Sequence, residues 1–149
     1  MVSFDTNILV YATASIPDAK VTRARDLIAR AMRDGSGILM LQTLAEFSNV
    51  ATRKERMPIK KVGITIDAWR AVFSIQSADI EDLLAALEAV KTRYLSFWDA
   101  MLWASARRAG VRYLLTEDFQ DRFALQGVTF INPFRSENDR LIDEVLPPS

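Results

Sequence analysis

The chain has 149 residues, half of them hydrophobic and 26% charged, with 19 basic and 19 acidic side chains that cancel. Such a composition excludes a disordered or fibrous chain, and the balanced charge means that any nucleic-acid footprint has to be local. Cysteine and histidine are absent, which excludes disulfides, thiolate and imidazole catalysis and the usual zinc sites.

The elements follow in chain order. Val2-Ser3-Phe4 reads as a short strand ending near Asp5, and Asp5-Thr6-Asn7 as a polar turn before Ile8-Leu9-Val10-Tyr11. Pro17-Asp18 opens a helix whose Val21, Ala24, Leu27, Ile28, Ala31 and Met32 recur at helical spacing, with Gly35 suited to its C-terminal cap. Ile38 to Leu41 is a continuous apolar run of the kind found in buried parallel strands, and Thr43 starts a second helix. Pro58 ends or restarts that element, and helix is expected from Lys60 to Val72. Asp79 to Lys91 reads as a helix with an apolar stripe of Ile80, Leu83, Leu84, Leu87 and Val90. Ser96 opens another, rich in Phe97, Trp98, Leu102 and Trp103 and closed by Gly110. Arg112 to Leu115 is a third strand, Val128 to Ile131 a fourth, and Asp139 to Leu146 a short docking helix.

Short strands alternating with longer helices predict an α/β fold, a three-layer α/β/α sandwich around a short-stranded, mostly parallel sheet. No repeat, low-complexity stretch or linker interrupts it. One domain over residues 1–149 is expected, with its core at about 2–133 and a C-terminal tail at 134–149. No signal peptide is apparent and no apolar run approaches membrane-spanning length, so a cytoplasmic protein with no membrane partner is expected.

Without histidine or cysteine, carboxylates are the natural candidates for catalysis, and in an open parallel sheet functional groups collect at the carboxyl ends of the strands. Asp5 falls at the end of the first strand, Glu46 in the first turn of the helix after the second, and Asp118 just past the third. Asp99 starts a helix that runs back into the third strand, so its position is at the same edge. Local explanations compete. Thr43-x-x-Glu46 and Ser96-x-x-Asp99 both fit capping boxes, while Asp118 and Asp121 suit turns. A shared site of several carboxylates repels itself unless a cation is present. All-oxygen ligation suits Mg²⁺ or Mn²⁺, which can activate water and stabilise the charge on a phosphodiester undergoing hydrolysis.

Four segments carry a family resemblance. Phe4-Asp5-Thr6-Asn7-Ile8-Leu9-Val10-Tyr11-Ala12 resembles the opening motif of the PIN-domain family, and Leu44-Ala45-Glu46-Phe47 its second. Leu95-Ser96-Phe97-Trp98-Asp99-Ala100 and Leu114-Leu115-Thr116-Glu117-Asp118 resemble the third and fourth. Within the family the chain looks most like VapC-type toxins, the ribonuclease halves of type II toxin–antitoxin pairs. The resemblance implies a Mg²⁺- or Mn²⁺-dependent ribonuclease acting on RNA, with Asp5, Glu46, Asp99 and Asp118 in the metal-binding and catalytic positions. Thr6, Asn7 and Thr116 match supporting polar positions. A homodimer and a cognate antitoxin covering the acidic pocket are also implied. The pattern departs at Gln120, where many relatives carry a further acid that Glu117 or Asp121 would have to replace. A non-catalytic RNA- or partner-binding module and a housekeeping nuclease are the alternatives.

Two basic groups could meet RNA phosphates: Arg53 to Lys61, with five cations and one acid in nine residues, and Arg107, Arg108 and Arg112. Trp98 and Trp103 are candidates for base stacking, although aromatic residues on an apolar helix more often belong to a core.

Overall fold

The computed structural model describes residues 1–92 and 95–148; Ser149, at the end of the expected tail, lies outside the described residues. In chain order the elements are β1 (Val2–Phe4), α1 (Thr6–Thr13), α2 (Ala19–Asp34), β2 (Ile38–Met40), α3 (Leu41–Arg53), α4 (Ile59–Arg70) and β3 (Ser74–Gln76). They continue with α5 (Ile80–Thr92), α6 (Phe97–Arg108), β4 (Tyr113–Leu115), β5 (Ala124–Leu125), β6 (Val128–Ile131) and α7 (Asp139–Val145). A four-stranded sheet in the order β1-β4-β6-β5 is joined to a β2–β3 pair by a parallel bridge between Val2 and Gly37. Among these strands only β5 runs antiparallel. The expected α/β/α sandwich is the observed fold.

Successive strand side chains point to opposite faces, and the core divides accordingly. Phe4, Leu39, Leu115 and Ile131 pack with residues of α1 to α4 and α7, whereas Ile38, Met40, Leu114 and Phe130 pack with α5 and α6. Gly37 has to be glycine where β2 begins, because a Cβ there would collide with the Phe73 ring. The C-terminal segment docks as expected, with Ile142 and Leu146 buried on the first of these faces. Among the described residues no helix is long and apolar enough to cross a membrane.

Local signals place α2 well. Asp18 accepts from the Val21 N–H at 2.8 Å, and Gly35 closes the helix in the left-handed conformation at φ 61°. Elsewhere the structure corrects the expectation. Asp5-Thr6-Asn7 is not a turn: Asp5 is the N-cap of α1, which begins at Thr6. β3 and β5 add to the four expected strands. Neither carries a strand signal, since Ser74-Ile75-Gln76 has one apolar residue and β5 only two residues in all.

The largest departure concerns α5. Its apolar stripe faces outward, leaving Ile80, Leu84 and Leu87 exposed, while Asp82, Ala86 and Ala89 face α6. Small alanines allow close approach of the two helices. Asp82 is tolerated inside because Arg108 binds it at 2.8 Å, Ser105 donates to it, and the Asp79 N–H donates to it at 3.0 Å. These contacts hold the Asp82 carboxyl below its usual pKa despite burial.

Candidate active site

Because β1, β2 and β4 are parallel, their carboxyl ends share one edge of the sheet, and the chain leaves each directly into a polar segment. Asp5 follows β1 and is 7% exposed. Its Oδ1 accepts from the Thr6 N–H at 2.7 Å and its Oδ2 from the Thr116 hydroxyl at 2.7 Å. Burial pushes its carboxyl up to a pKa of about 6, with further upward contributions from the Asp118 and Glu46 charges; the two hydrogen bonds oppose these effects.

Glu46 lies in the second turn of α3, not the first, because α3 starts directly from β2 at Leu41 with Met40 as an N-cap that makes no side-chain bond. The Thr43 capping box therefore does not form, and among the described residues the buried Thr43 hydroxyl has no partner. Glu46 instead accepts from the Thr6 hydroxyl at 2.8 Å and from the Gln42 amide at 2.8 Å. Asp99 sits in the first turn of α6, where its N–H does donate to Ser96 Oγ at 3.2 Å. Half of that capping box forms, and among the described residues the Asp99 carboxylate makes no cap bond. Asp118 accepts from the Asn7 amide at 2.7 Å, and its N–H donates to Thr116 Oγ1 at 3.1 Å. Its carboxyl is held above the ordinary value by partial burial, then by the charges of Glu117 and Asp99.

The charges of Asp118 and Glu46 thus bear on Asp5, and that of Asp99 on Asp118. Among the described residues, no group of three acidic side chains closes into a ready-made cation cage. That arrangement still fits Mg²⁺ or Mn²⁺, hard ions commonly held through one or two carboxylates with water completing the shell. Neither substitute for the missing acid at Gln120 is free. Glu117 binds Lys20 Nζ at 2.5 Å and the Tyr11 hydroxyl at 2.6 Å. Asp121 accepts from the Asn132 N–H at 2.8 Å and the Asn138 amide at 2.9 Å, a link that fastens the segment after β6.

Two depressions flank the acids. One, of about 840 Å³, is lined by Leu41, Gln42, Glu46, Asn49, Trp98 and Met101; the other includes Asp99, Asp118, Gln120 and Phe123. The two candidate stacking residues separate here. Trp103 is core, 2% exposed with its indole N–H on the Leu125 carbonyl, whereas Trp98 is 63% exposed beside Glu46. Of the second basic group, Arg108 is committed to Asp82, and Arg107 covers the Trp103 ring and bonds Gln126. Gln42, which no sequence motif singles out, ties the site together by donating to both Glu46 and the Trp98 carbonyl. Its spacing four residues before Glu46 on one helix is the signal that could have found it.

A short-stranded parallel sandwich carrying acids from four separate segments on its carboxyl edge defines a recognisable class of α/β protein. Residues 2–124 match the PIN domain, and the chain belongs to that family. No curated protein matches it in sequence. Among solved structures it is similar to VapC20 of Mycobacterium tuberculosis, described as a sarcin-ricin loop cleaving toxin, at 19% identity and a TM-score of 0.60, covering 79% of this chain and 90% of that one. A toxin–antitoxin complex from Klebsiella pneumoniae gives 18% identity and 0.65, covering 90% and 98%. The FitAcB structure from Neisseria gonorrhoeae gives 17% and 0.62, covering 90% and 99%. At these identities the likeness speaks for the fold.

Proposed function

We propose that the chain is a Mg²⁺- or Mn²⁺-dependent endoribonuclease, the toxin of a toxin–antitoxin pair. The carrying observation is the hydrogen-bonded placement of Asp5, Glu46 and Asp118 at one sheet edge through Thr6, Asn7 and Thr116, with Asp99 acting on Asp118, in a protein that has neither histidine nor cysteine. Membership of the PIN family and similarity to structures described as a cleaving toxin and a toxin–antitoxin complex support the same reading. A cytoplasmic setting, a single domain over 1–149, a homodimer and an antitoxin partner belong to this proposal.

Of Asp5, Asp99, Asp118 and Glu46, one or two would hold the ion directly and the others through its water shell. A bound hard dication supplies neutralisation of the scissile phosphate and a water acidic enough to attack it at neutral pH. The chain's own residues have distinct tasks. Thr116 and the Thr6 N–H hold both oxygens of Asp5, fixing its orientation. Asn7 and Thr6 do the same for one oxygen each of Asp118 and Glu46. The raised pKa values of Asp5 and Asp118 support an edge poised to gain from a positive charge.

The test is cleavage of unstructured RNA by purified protein with Mn²⁺ and with EDTA. Cleavage that needs the ion and disappears in Asp99→Asn is expected. Metal-independent cleavage, or full activity in Asp5→Asn, overturns the assignment. The non-catalytic reading, kept open by Gln120, predicts equal growth effects of wild type and Asp99→Asn on expression.

A further inference from the structure

The cations at the turn between α3 and α4 differ from nearly all others on the molecule. Elsewhere basic side chains are engaged: Lys20 with Glu117, Arg23 with Asp139, Arg30 with Asp143, Arg108 with Asp82 and Arg122 with Asn138. Arg53, Lys54, Arg56, Lys60 and Lys61 are all exposed and, among the described residues, make no ion pair or side-chain hydrogen bond. Glu55 is the lone acid between them. On a chain of zero net charge this is a concentrated positive ridge, and it borders a cleft of about 350 Å³ that Thr13, Ser15, Arg56 and Lys61 help to line.

The ridge is connected to the acidic edge by α3. Gln42, Glu46, Asn49 and Arg53 recur at i, i+4, i+7 and i+11, which puts them on one stripe of the helix, opposite the buried Leu44, Phe47 and Ala51. Along that stripe Arg53 lies about 10 Å from Glu46, two turns further on. α1 makes a similar connection, with Asp5 and Thr6 at its start and Thr13 at its end beside the cleft.

We propose that this ridge is a phosphate-binding exosite that anchors a single RNA strand running along α3 from the acidic edge. The idea rests on the nuclease reading for its ligand, but binding and cleavage can be measured apart. An acidic edge repels the polyanion it is to cut, so affinity has to come from cations placed nearby and not at the acids themselves. Unpaired lysines and arginines do this without base readout, and they release counterions as phosphates bind.

The experiment titrates a labelled single-stranded RNA of about twenty nucleotides with the full-length protein in EDTA, by fluorescence anisotropy, over a range of salt. Arg53→Gln, Lys54→Gln and Lys60→Gln are combined, since Gln keeps helix propensity and Arg56, at φ 51°, is better left alone. A control triple, Lys91→Gln, Arg112→Gln and Arg135→Gln, removes the same charge elsewhere. The ridge triple is expected to weaken binding at least about tenfold near 0.1 M salt and to flatten the salt slope by about 2, roughly 0.7 for each phosphate no longer neutralised. The control triple is expected to bind like wild type. Unchanged affinity and slope in the ridge triple overturns the proposal, as does an equal loss in the control. RNA binding that stays intact while polyglutamate binding disappears also overturns it, and makes the ridge a docking surface for an acidic polypeptide. With Mn²⁺, the ridge triple should cut a dinucleotide, which has no second phosphodiester to reach the ridge, at the wild-type rate and long RNA more slowly. If wild type cuts neither, the nuclease reading fails while the binding result still decides the exosite.

Discussion

Thr116 donates its hydroxyl to Oδ2 of Asp5 at 2.7 Å across 111 positions of sequence, and its own Oγ1 accepts the Asp118 N–H at 3.1 Å. One small side chain at the end of β4 thus fixes two acids that belong to different strands. It stabilises the charged form of a carboxylate that burial would otherwise keep neutral. Replacing it with valine keeps the shape and removes the donor. Thr116→Val is expected to cost about 1–2 kcal/mol near pH 7.5, seen as a fall of several degrees in metal-free Tm. The loss should shrink below pH 5, where Asp5 is protonated. Thr116→Ser should restore most of both stability and RNA cleavage; a Ser variant as impaired as Val would show that the hydroxyl is not the group that matters.

Asp5 itself makes a prediction of opposite sign. Its folded-state pKa of about 6 lies above the ordinary 3.8, so the folded state holds its proton more tightly than the unfolded chain. The stability it contributes is full below 3.8 and is lost as pH rises through 6; above that, the buried charge costs roughly 3 kcal/mol. Asp5→Asn removes the charge but sacrifices part of the hydrogen bonding to Thr6 and Thr116. A net gain of about 1 kcal/mol at pH 7.5, or roughly 2–4 °C in Tm without metal, is expected, shrinking to nothing at about pH 4.5. Mn²⁺ should then stabilise wild type more than the variant. A variant that melts at or below wild type at pH 7.5 in EDTA would show that Asp5 carries no buried charge to relieve.

What the sequence reveals depends on whether a signal is local. Asp18 and Gly35 bound α2 by bonds within four residues, and both are readable from the chain. The edge position of Asp5, Glu46, Asp99 and Asp118 follows from strand order alone. Which way a helix turns is another matter. The Ile80, Leu84 and Leu87 stripe of α5 has the right period for a core, but Ala86 and Ala89 pack more closely on α6, and Asp82 carries its own counterion inside. No local pattern announces that partner, because Arg108 is 26 residues away. The acids have the same limit: the family motifs point to Thr6, Asn7 and Thr116 beside them, but Gln42, which holds Glu46 to the Trp98 carbonyl, belongs to no motif and looks like an ordinary helix polar position.

Arg108 and the ridge residues should behave oppositely, although the sequence makes both candidates for phosphate binding. Asp82→Ala removes the buried carboxylate of the Arg108 guanidinium, leaving it only the more exposed Asp79 at 3.2 Å, and leaves the Asp79 N–H without its acceptor. A Tm lower by about 5 °C is expected, with RNA affinity per folded molecule unchanged. Arg108→Gln should likewise destabilise without flattening the salt slope of RNA binding. A flattened slope with intact Tm would move Arg108 into the RNA interface.

Trp98 offers a direct optical test of the groove beside Glu46. Trp69 and Trp103 are 7% and 2% exposed, so the red side of the emission belongs to Trp98 at 63%. A base stacking on its indole quenches that component. Titrating metal-free protein with single-stranded RNA should therefore quench the red edge while leaving the buried emission in place. Stacking of one base is worth about 1–3 kcal/mol, so Trp98→Leu should lose the quench and weaken binding between about fivefold and a hundredfold. Trp98→Phe should retain a good part of the affinity, because the π-face remains. If RNA binds with full affinity and no change at the red edge, Trp98 does not touch the strand. A blue shift on adding a polypeptide partner, with none on adding RNA, would instead place that partner over the groove.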